Sequence, residues 1–412
     1  MNAISPIATA ADVSKGWQVS TAGRSLDVLS KQWIARPRDE RFLTLDDLRD
    51  ATRVRAERTT ESRLQNRQLR VVSPEILPGD DRATIHSKAN QLRLVDVKAD
   101  REYAPTNWVF GQVAQLAKAP SAYLRTLPGA IASTALQYSL HYNPDKSDVK
   151  LYADDVEALA LTGPDYGRIF NHEVAEAVAG AIEGATGDHR WKVPGTLDWS
   201  TGVYNPLHPV TMDTTTIFGN DRGVFIFLSQ DLAPIEIGKL PNGKPDYVFR
   251  GFYVTNSEVG AGALKLGAMY LRAICNNRIL WGVEAFEELT MRHTKYAPGR
   301  FIEEAMPALQ SFANGSTTKL IEGVQRAKDA KVAADKDEAL AFLAERGMAA
   351  KRALAVYDAI VREEWLGEEN DARPLDAWTL AQGITATARN EPNFDVRFDM
   401  ETLAGRVLDK VA

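Results

Sequence analysis

The sequence predicts an α+β fold: a largely antiparallel sheet with packed helices, followed by a C-terminal helical module. Three observations carry this expectation. Residues 190–256 hold most of the β-branched and aromatic runs, and short polar turns rather than crossover helices separate them. Segments with helical apolar spacing precede that block. From about Pro298 onward helix formers dominate, with Ala, Glu, Lys, Arg and Leu prevailing over 318–365.

In order along the chain, residues 1–30 are rich in Ser, Ala and Thr and read as a loosely ordered lead-in. Residues 36–70 carry ten arginines against seven acids, a local excess of +3. Within them Thr44-Leu45-Asp46-Asp47 resembles a capping box with Asp47 in place of the usual Glu. The run 48–58 that follows has few large apolar residues, so it predicts a mostly solvated helix, ended by Pro74 and Pro78-Gly79. Thr106-Asn107 can cap a helix through Ala117, whose apolar positions 109, 113 and 116 recur at helical spacing and which Pro120 stops. Ala122–Arg125 reads as a helical turn and Pro128–Tyr142 as a helix. Val149–Ala153 and Ala158–Leu161 read as short strands, and Asn171 as a cap for a helix from His172 to Glu183. Thr214–Phe218 and Val224–Leu228 form a hairpin around Gly219–Gly223. Ile235–Ile237 and Tyr247–Val254 continue the sheet across the turn Pro241–Pro245, and a helix is expected from about Gly262 to Asn276. The expected organisation is an N-terminal extension with an Arg-rich helix (1–100), an α+β core (105–300) and a helical module (301–412).

Composition narrows the function classes. The 412 residues carry 49 Lys and Arg against 55 Asp and Glu, a net charge of −6, so no global electrostatic case for nucleic acid exists. With 44% apolar and 25% charged residues the chain is not disordered throughout. No uninterrupted apolar run of about 18 residues occurs, so no membrane partner is expected. The first residues show no secretory pattern. The one cysteine, Cys275, excludes an internal disulfide framework and any multi-thiolate zinc site, and cytoplasmic residence is the default expectation.

Four features are candidates for chemistry. His172-Glu173-Val174-Ala175-Glu176 has Glu where a zinc-protease helix needs its second His, and no third ligand is indicated; the plainer reading is an acidic first helical turn. Asn256-Ser257-Glu258-Val259-Gly260-Ala261-Gly262, placed between a strand and an expected helix, suits an anion-binding turn through Asn256, Ser257, Gly260 and Gly262. Its glycine spacing matches neither a dinucleotide fingerprint nor a Walker A loop, and no cofactor is expected. The plainer reading is a capped strand-to-helix turn. Cys275 reads as a small buried apolar group rather than a nucleophile. Finally, residues 250–300 hold seven basic against four acidic residues, with aromatics interleaved. Arg250, Lys265, Arg272, Arg278 and Arg292 with Tyr253 and Tyr270 are what a single-strand binder needs, unless the aromatics are core and the charges ordinary surface.

The stretch Phe252–Leu264, followed by Tyr270-Leu271-Arg272-Ala273-Ile274-Cys275-Asn276-Asn277-Arg278, resembles the phage/plasmid-like family known as domain of unknown function 932. That family shows Asn-Ser-Glu-x-Gly and then an Arg-x-x-Cys stretch closed by Asn-Gly; here Arg272, Cys275 and Asn276 are kept and Asn277 stands at the usual Gly. Thr162–Asn171, Arg292-His293-Thr294 and Trp108–Leu127 are similar to further segments, so the resemblance spans roughly 105–300. It implies a bacteriophage, prophage or plasmid context in a host cytoplasm and a role in mobile-element DNA handling. Together with the basic, aromatic stretch 250–300, this gives the expectation of an accessory protein of DNA metabolism that binds single-stranded DNA, with homo-oligomerisation as a way to build a groove. The alternatives are a nucleotide- or nucleic-acid-processing enzyme with a site around Asn256, Ser257, Glu258, Arg272, Cys275 and His293, or a virion assembly protein.

Overall fold

The structure is a computed structural model describing residues 18–19, 29, 37–142, 148–198, 203–240, 243, 245–272, 278–280, 289–313, 318–362, 375–391 and 394–409. The chain opens with β1 (Gln18–Val19) and β2 (Pro37–Phe42). Helix α1 (Leu45–Glu57) follows, and its cap is the one the sequence specifies: Thr44 Oγ1 accepts from the Asp47 N–H at 3.0 Å and donates to the Asp47 carboxylate at 2.7 Å. The helix buries only Leu48, as a solvated helix should.

The next elements build a sheet of their own. They are β3 (Thr60–Gln65), β4 (Leu69–Val72), α2 (Arg82–Ala89), β5 (Arg93–Asp96), β6 (Arg101–Pro105), α3 (Asn107–Leu116), α4 (Ser121–Arg125), α5 (Gly129–Tyr142), β7 (Asp148–Ala153) and β8 (Glu157–Thr162). Six strands run in the order β3-β7-β8-β6-β5-β4, antiparallel except for the β6–β8 pair. Helices α3 and α5 cover one face through Val109, Phe110, Val113, Leu136 and Leu140, against Leu64, Leu69, Val71, Leu94 and Leu151. This sheet spans the expected division at residue 100, because β3 pairs with β7 and β5 with β6 across it. The Arg-rich stretch hides its strands: β3 reads Thr-Glu-Ser-Arg-Leu-Gln and buries only Leu64.

A second, larger sheet follows α6 (Asn171–Ile182). Its elements are β9 (Thr196–Asp198) and β10 (Val203–Asn205), which form a separate hairpin, then β11 (Ile217–Asn220), β12 (Val224–Ser229), β13 (Ile235–Lys239), β14 (Pro245–Asn256), β15 (Leu264–Arg272), β16 (Arg278–Leu280) and β17 (Leu289–Met291). The sheet runs β1-β2-β11-β12-β14-β15-β16, with β13 on β14 and β17 on β15, antiparallel throughout. β15 overturns the helix expected from Gly262. Leu264, Leu266, Ala268 and Tyr270 face one core and Met269 and Leu271 face another, so the strand is apolar on both sides and lacks the alternation that marks a half-exposed strand.

The C-terminal part is helical, as expected: α7 (Ala297–Ala313), α8 (Thr318–Asp329), β18 (Lys331–Ala333), α9 (Lys336–Glu345), α10 (Ala350–Arg362), β19 (Leu375–Asp376), α11 (Ala377–Arg389) and α12 (Phe394–Asp409). It is not a separate module. One continuous core joins Leu228, Phe252 and Tyr270 of the sheet to Val324, Val356, Trp378 and Leu408 of the helices. The other face of the sheet packs Phe225, Phe249 and Tyr253 against Phe398 of α12. Among the described residues no helix is long and apolar enough to cross a membrane.

Candidate nucleic-acid interface

The hairpin loop joining β14 to β15, residues 257–263, is where the predicted residues gather. Its carbonyls are gripped from outside the large sheet. Tyr166 Oη donates to the Ser257 carbonyl at 2.6 Å, Arg168 Nη1 donates to the Glu258 carbonyl, and Trp108 Nε1 and Gln112 Nε2 donate to the Val259 carbonyl at 3.1 and 3.0 Å. The side chains are engaged as well. Ser257 Oγ donates to the Arg222 carbonyl at 2.5 Å and accepts from the Ala261 N–H at 2.8 Å. Glu258 Oε2 accepts the N–H of Asn171, the first residue of α6, at 3.0 Å, where the helix dipole favours a carboxylate. Asn256 donates to the Ile169 carbonyl and to Asn171 Oδ1 at 2.9 and 2.8 Å, while its own Oδ1 is buried with no partner among the described residues. Gly260 sits at φ +85°, a conformation that favours glycine, with Thr162 and Gln112 close by.

This geometry corrects the anion-binding turn. A strand follows the loop, so no helix N-terminus points at a ligand. The Gly260 and Ala261 N–H groups turn inward to Ser257, at 3.4 Å to its carbonyl and 2.8 Å to its hydroxyl. The sequence Asn-Ser-Glu-Val-Gly is here a latch between layers.

Two concavities flank the latch. One, of about 410 Å³, is lined by Glu61, Lys150, Tyr152, Tyr166, Arg168 and Lys295. The Arg168 guanidinium lies 3.9 Å from the centre of the Tyr152 ring and donates to Glu61 at 2.9 Å, and Lys150 reaches Glu61 at 3.1 Å. Burial pushes the Glu61 carboxyl up, but hydrogen bonds from Arg168 and Lys150 outweigh it and hold the group below its ordinary range. Burial pushes the Tyr152 hydroxyl up to about 12 and raises Tyr166 as well. His293, stacked on Tyr166 with ring centres 4.9 Å apart and bonded to the Gly167 carbonyl, is lowered by burial. Acid–base work at neutral pH needs groups poised near 7, and the tyrosines are moved away from it.

The other concavity, of about 370 Å³, opens between the β11–β12 turn and the latch. Asn256, Ser257, Gly262 and Lys265 line it, joined by Arg222, Trp108 and Phe218. Arg222 lies 5.8 Å from the Trp108 ring centre and Arg41 lies 5.8 Å from that of Phe218. Asp399 of α12 is the one acid among the described lining residues.

The remaining predicted residues do not join this cleft. Arg250 and Arg272 are buried, 6% and 4% exposed, on strands inside the sheet. Arg272 makes a two-point ion pair with Asp246, at 2.9 and 2.6 Å. Tyr253 and Tyr270 are core residues, so neither can stack on a base. Arg292 is exposed after β17, away from the cleft lining. The Arg278 side chain and Cys275 lie outside the described residues. The alternative enzyme site is not assembled either: Arg272 pairs with Val248 while Lys265 pairs with Thr255, so roughly 23 Å of strand separates Arg272 from the Glu258 end. Among the described residues no group of three His, Cys, Asp or Glu is placed to hold a metal ion. Sequence reasoning missed Arg222, Trp108 and Phe218. Arg222 has a visible signal, a basic residue at a hairpin tip, but Trp108 is distant in sequence and reaches the cleft only through the fold.

The molecule is thus an α+β protein whose antiparallel sheet carries a basic, aromatic cleft beside a latched loop. Residues 202–398 match the family model described as Domain of unknown function (DUF932). Neither the curated proteins nor the solved structures contain a match to the chain.

Proposed function

We propose that the protein binds single-stranded nucleic acid in the Trp108–Phe218–Arg222–Lys265 cleft, as an accessory factor of phage or plasmid DNA metabolism in the cytoplasm of a host cell. One observation carries this reading: the fold brings two cations and two aromatic rings, from three separate segments, to a single cleft. Lys265 and Arg222 supply charge for the phosphates, and the Trp108 and Phe218 rings supply faces for bases, each stacked base contributing about 1–3 kcal/mol. A cleft of about 370 Å³ suits a single splayed nucleotide rather than a duplex. Self-association would extend the track along a strand.

Fluorescence anisotropy with labelled single-stranded DNA, single-stranded RNA and duplex, across a salt series, tests this. The expected result is preference for single strands. Log affinity should fall with log salt, and the double variant Arg222→Glu/Lys265→Glu should flatten that slope by about 1.4, the share of two phosphate contacts at about 0.7 each. No binding at low salt, or binding indifferent to the double variant, overturns the reading.

A further inference from the structure

The β4–α5 side of the smaller sheet carries a different kind of site. β4 is an end strand: among the described residues it pairs only with β5. Its hydrogen-bond phase is fixed by the Val97 N–H, which donates to the Gln68 carbonyl at 2.9 Å. In an antiparallel ladder of that register, residues 70 and 72 bond towards β5, while 71 and 73 turn their backbone groups outward; the Leu69 N–H is taken by the Asn66 carbonyl. The outward Val71 N–H is met at 2.8 Å by Oε1 of Gln137, a side chain of α5. A side-chain carboxamide therefore stands where the backbone carbonyl of a further strand would stand.

Beside this edge runs a groove of about 620 Å³, walled by Val71, Val72 and Ser73 on one side and by α5 on the other. The α5 wall is aromatic and open to solvent. Tyr138 and Tyr142 are 64% and 66% exposed and pack on one another with ring centres 4.5 Å apart. Exposed aromatics that are spent on neither core can anchor a partner. The charges around the edge are mainly basic: Arg67 and Arg70 are exposed on and before β4, and His141 lines the groove, with Glu75 following.

We propose that this groove docks an extended acidic segment of a partner protein, added to the sheet as a strand beside β4. Strand addition supplies main-chain hydrogen bonds through the Leu69 carbonyl and the outward groups of residues 71 and 73, the Gln137 carboxamide moving aside. Side chains of an added strand alternate between faces. One set enters the groove against Tyr138 and must be apolar or aromatic. The other set lies beside Arg70 and is acidic.

The test uses the full chain and a labelled Glu-Phe-Glu-Ile-Glu-Trp-Glu peptide. Its Lys-for-Glu counterpart and a version N-methylated at alternate backbone nitrogens serve as controls. The acidic peptide is expected to bind, with at least ten-fold weaker binding for Arg70→Glu and for Tyr138→Ala, both exposed positions whose replacement leaves the cores intact. Amide exchange over residues 69–73 should slow when the peptide is bound. Equal binding of the acidic and basic peptides, undiminished binding of the N-methylated one, or indifference to both variants overturns the proposal. Self-association that Tyr138→Ala abolishes, with no peptide binding, assigns the groove to a second copy and also overturns it. Because the groove is separate from the nucleic-acid cleft, oligonucleotide binding by the same variants distinguishes its failure from failure of that reading.

Discussion

Replacing Asp246 by Ala tests whether Arg272 is structural. Both side chains are almost fully buried, 2% and 5% exposed, and two hydrogen bonds join them. Lys328 Nζ lies 3.8 Å from the same carboxylate. Removing the acid leaves a buried guanidinium with a second cation beside it and takes away the charge that both face. Breaking a buried pair from one side costs about 3–5 kcal/mol, whereas replacing both members with apolar residues of similar volume is often neutral. Asp246→Ala should therefore lower the urea midpoint by an amount corresponding to about 3–5 kcal/mol, and Asp246→Leu/Arg272→Met should recover most of the loss. Oligonucleotide affinity of the double variant should match that of the parent chain. If Arg272→Met instead leaves stability within about 0.5 kcal/mol and abolishes oligonucleotide binding, the burial argument is wrong and Arg272 is a phosphate contact.

Two further outcomes are expected. The buried His293 has its pKa lowered by burial, so the folded state binds fewer protons than the unfolded one; stability is fully present above the ordinary histidine value near 6.5 and declines as pH falls below it. His293→Gln should flatten that part of a urea-midpoint profile between pH 7 and 5, and an unchanged profile refutes the assignment. Gly267→Ala would place a methyl 2.6 Å from the Tyr253 ring, itself packed between Phe225 and Phe398, and should cost about 1–3 kcal/mol in urea unfolding, relieved by Tyr253→Leu.

The sequence shows clearly those elements whose side chains keep one face wet. Helices α3, α5 and α6 fall where periodicity and caps put them, and the β11–β12 hairpin, although β12 is buried on both faces, is marked by β-branched and aromatic runs on either side of a polar turn. The Asp47 cap is visible residue by residue. β15 is not visible, because with both faces buried it carries an unbroken apolar run compatible with either helix or strand. The same burial misleads the site reading: Arg250, Arg272, Tyr253 and Tyr270 look like a basic, aromatic surface in sequence, and only pairing register shows that they point into cores. β3 escapes for the opposite reason, since one buried leucine among polar residues leaves no pattern. Asn256, Ser257, Gly262 and Lys265 do converge on one cleft, because they lie within ten residues of each other around a single hairpin turn. Trp108 and Arg222 join them from other parts of the chain, which no local pattern can announce.

The grip on the loop carbonyls bears on how portable this family's sequence is. The hands that hold residues 257–259 belong to Trp108, Gln112, Tyr166 and Arg168, all upstream of the stretch the family model matches. The strand zipped to β11 is β2, upstream again. Excised alone, residues 202–398 would keep the Asn-Ser-Glu-Val-Gly loop and lose the frame that sets its shape. The matched stretch behaves as an inlay: a chain that carries the same Asn-Ser-Glu-x-Gly letters has to bring matching donors with it, or let the loop settle into another form.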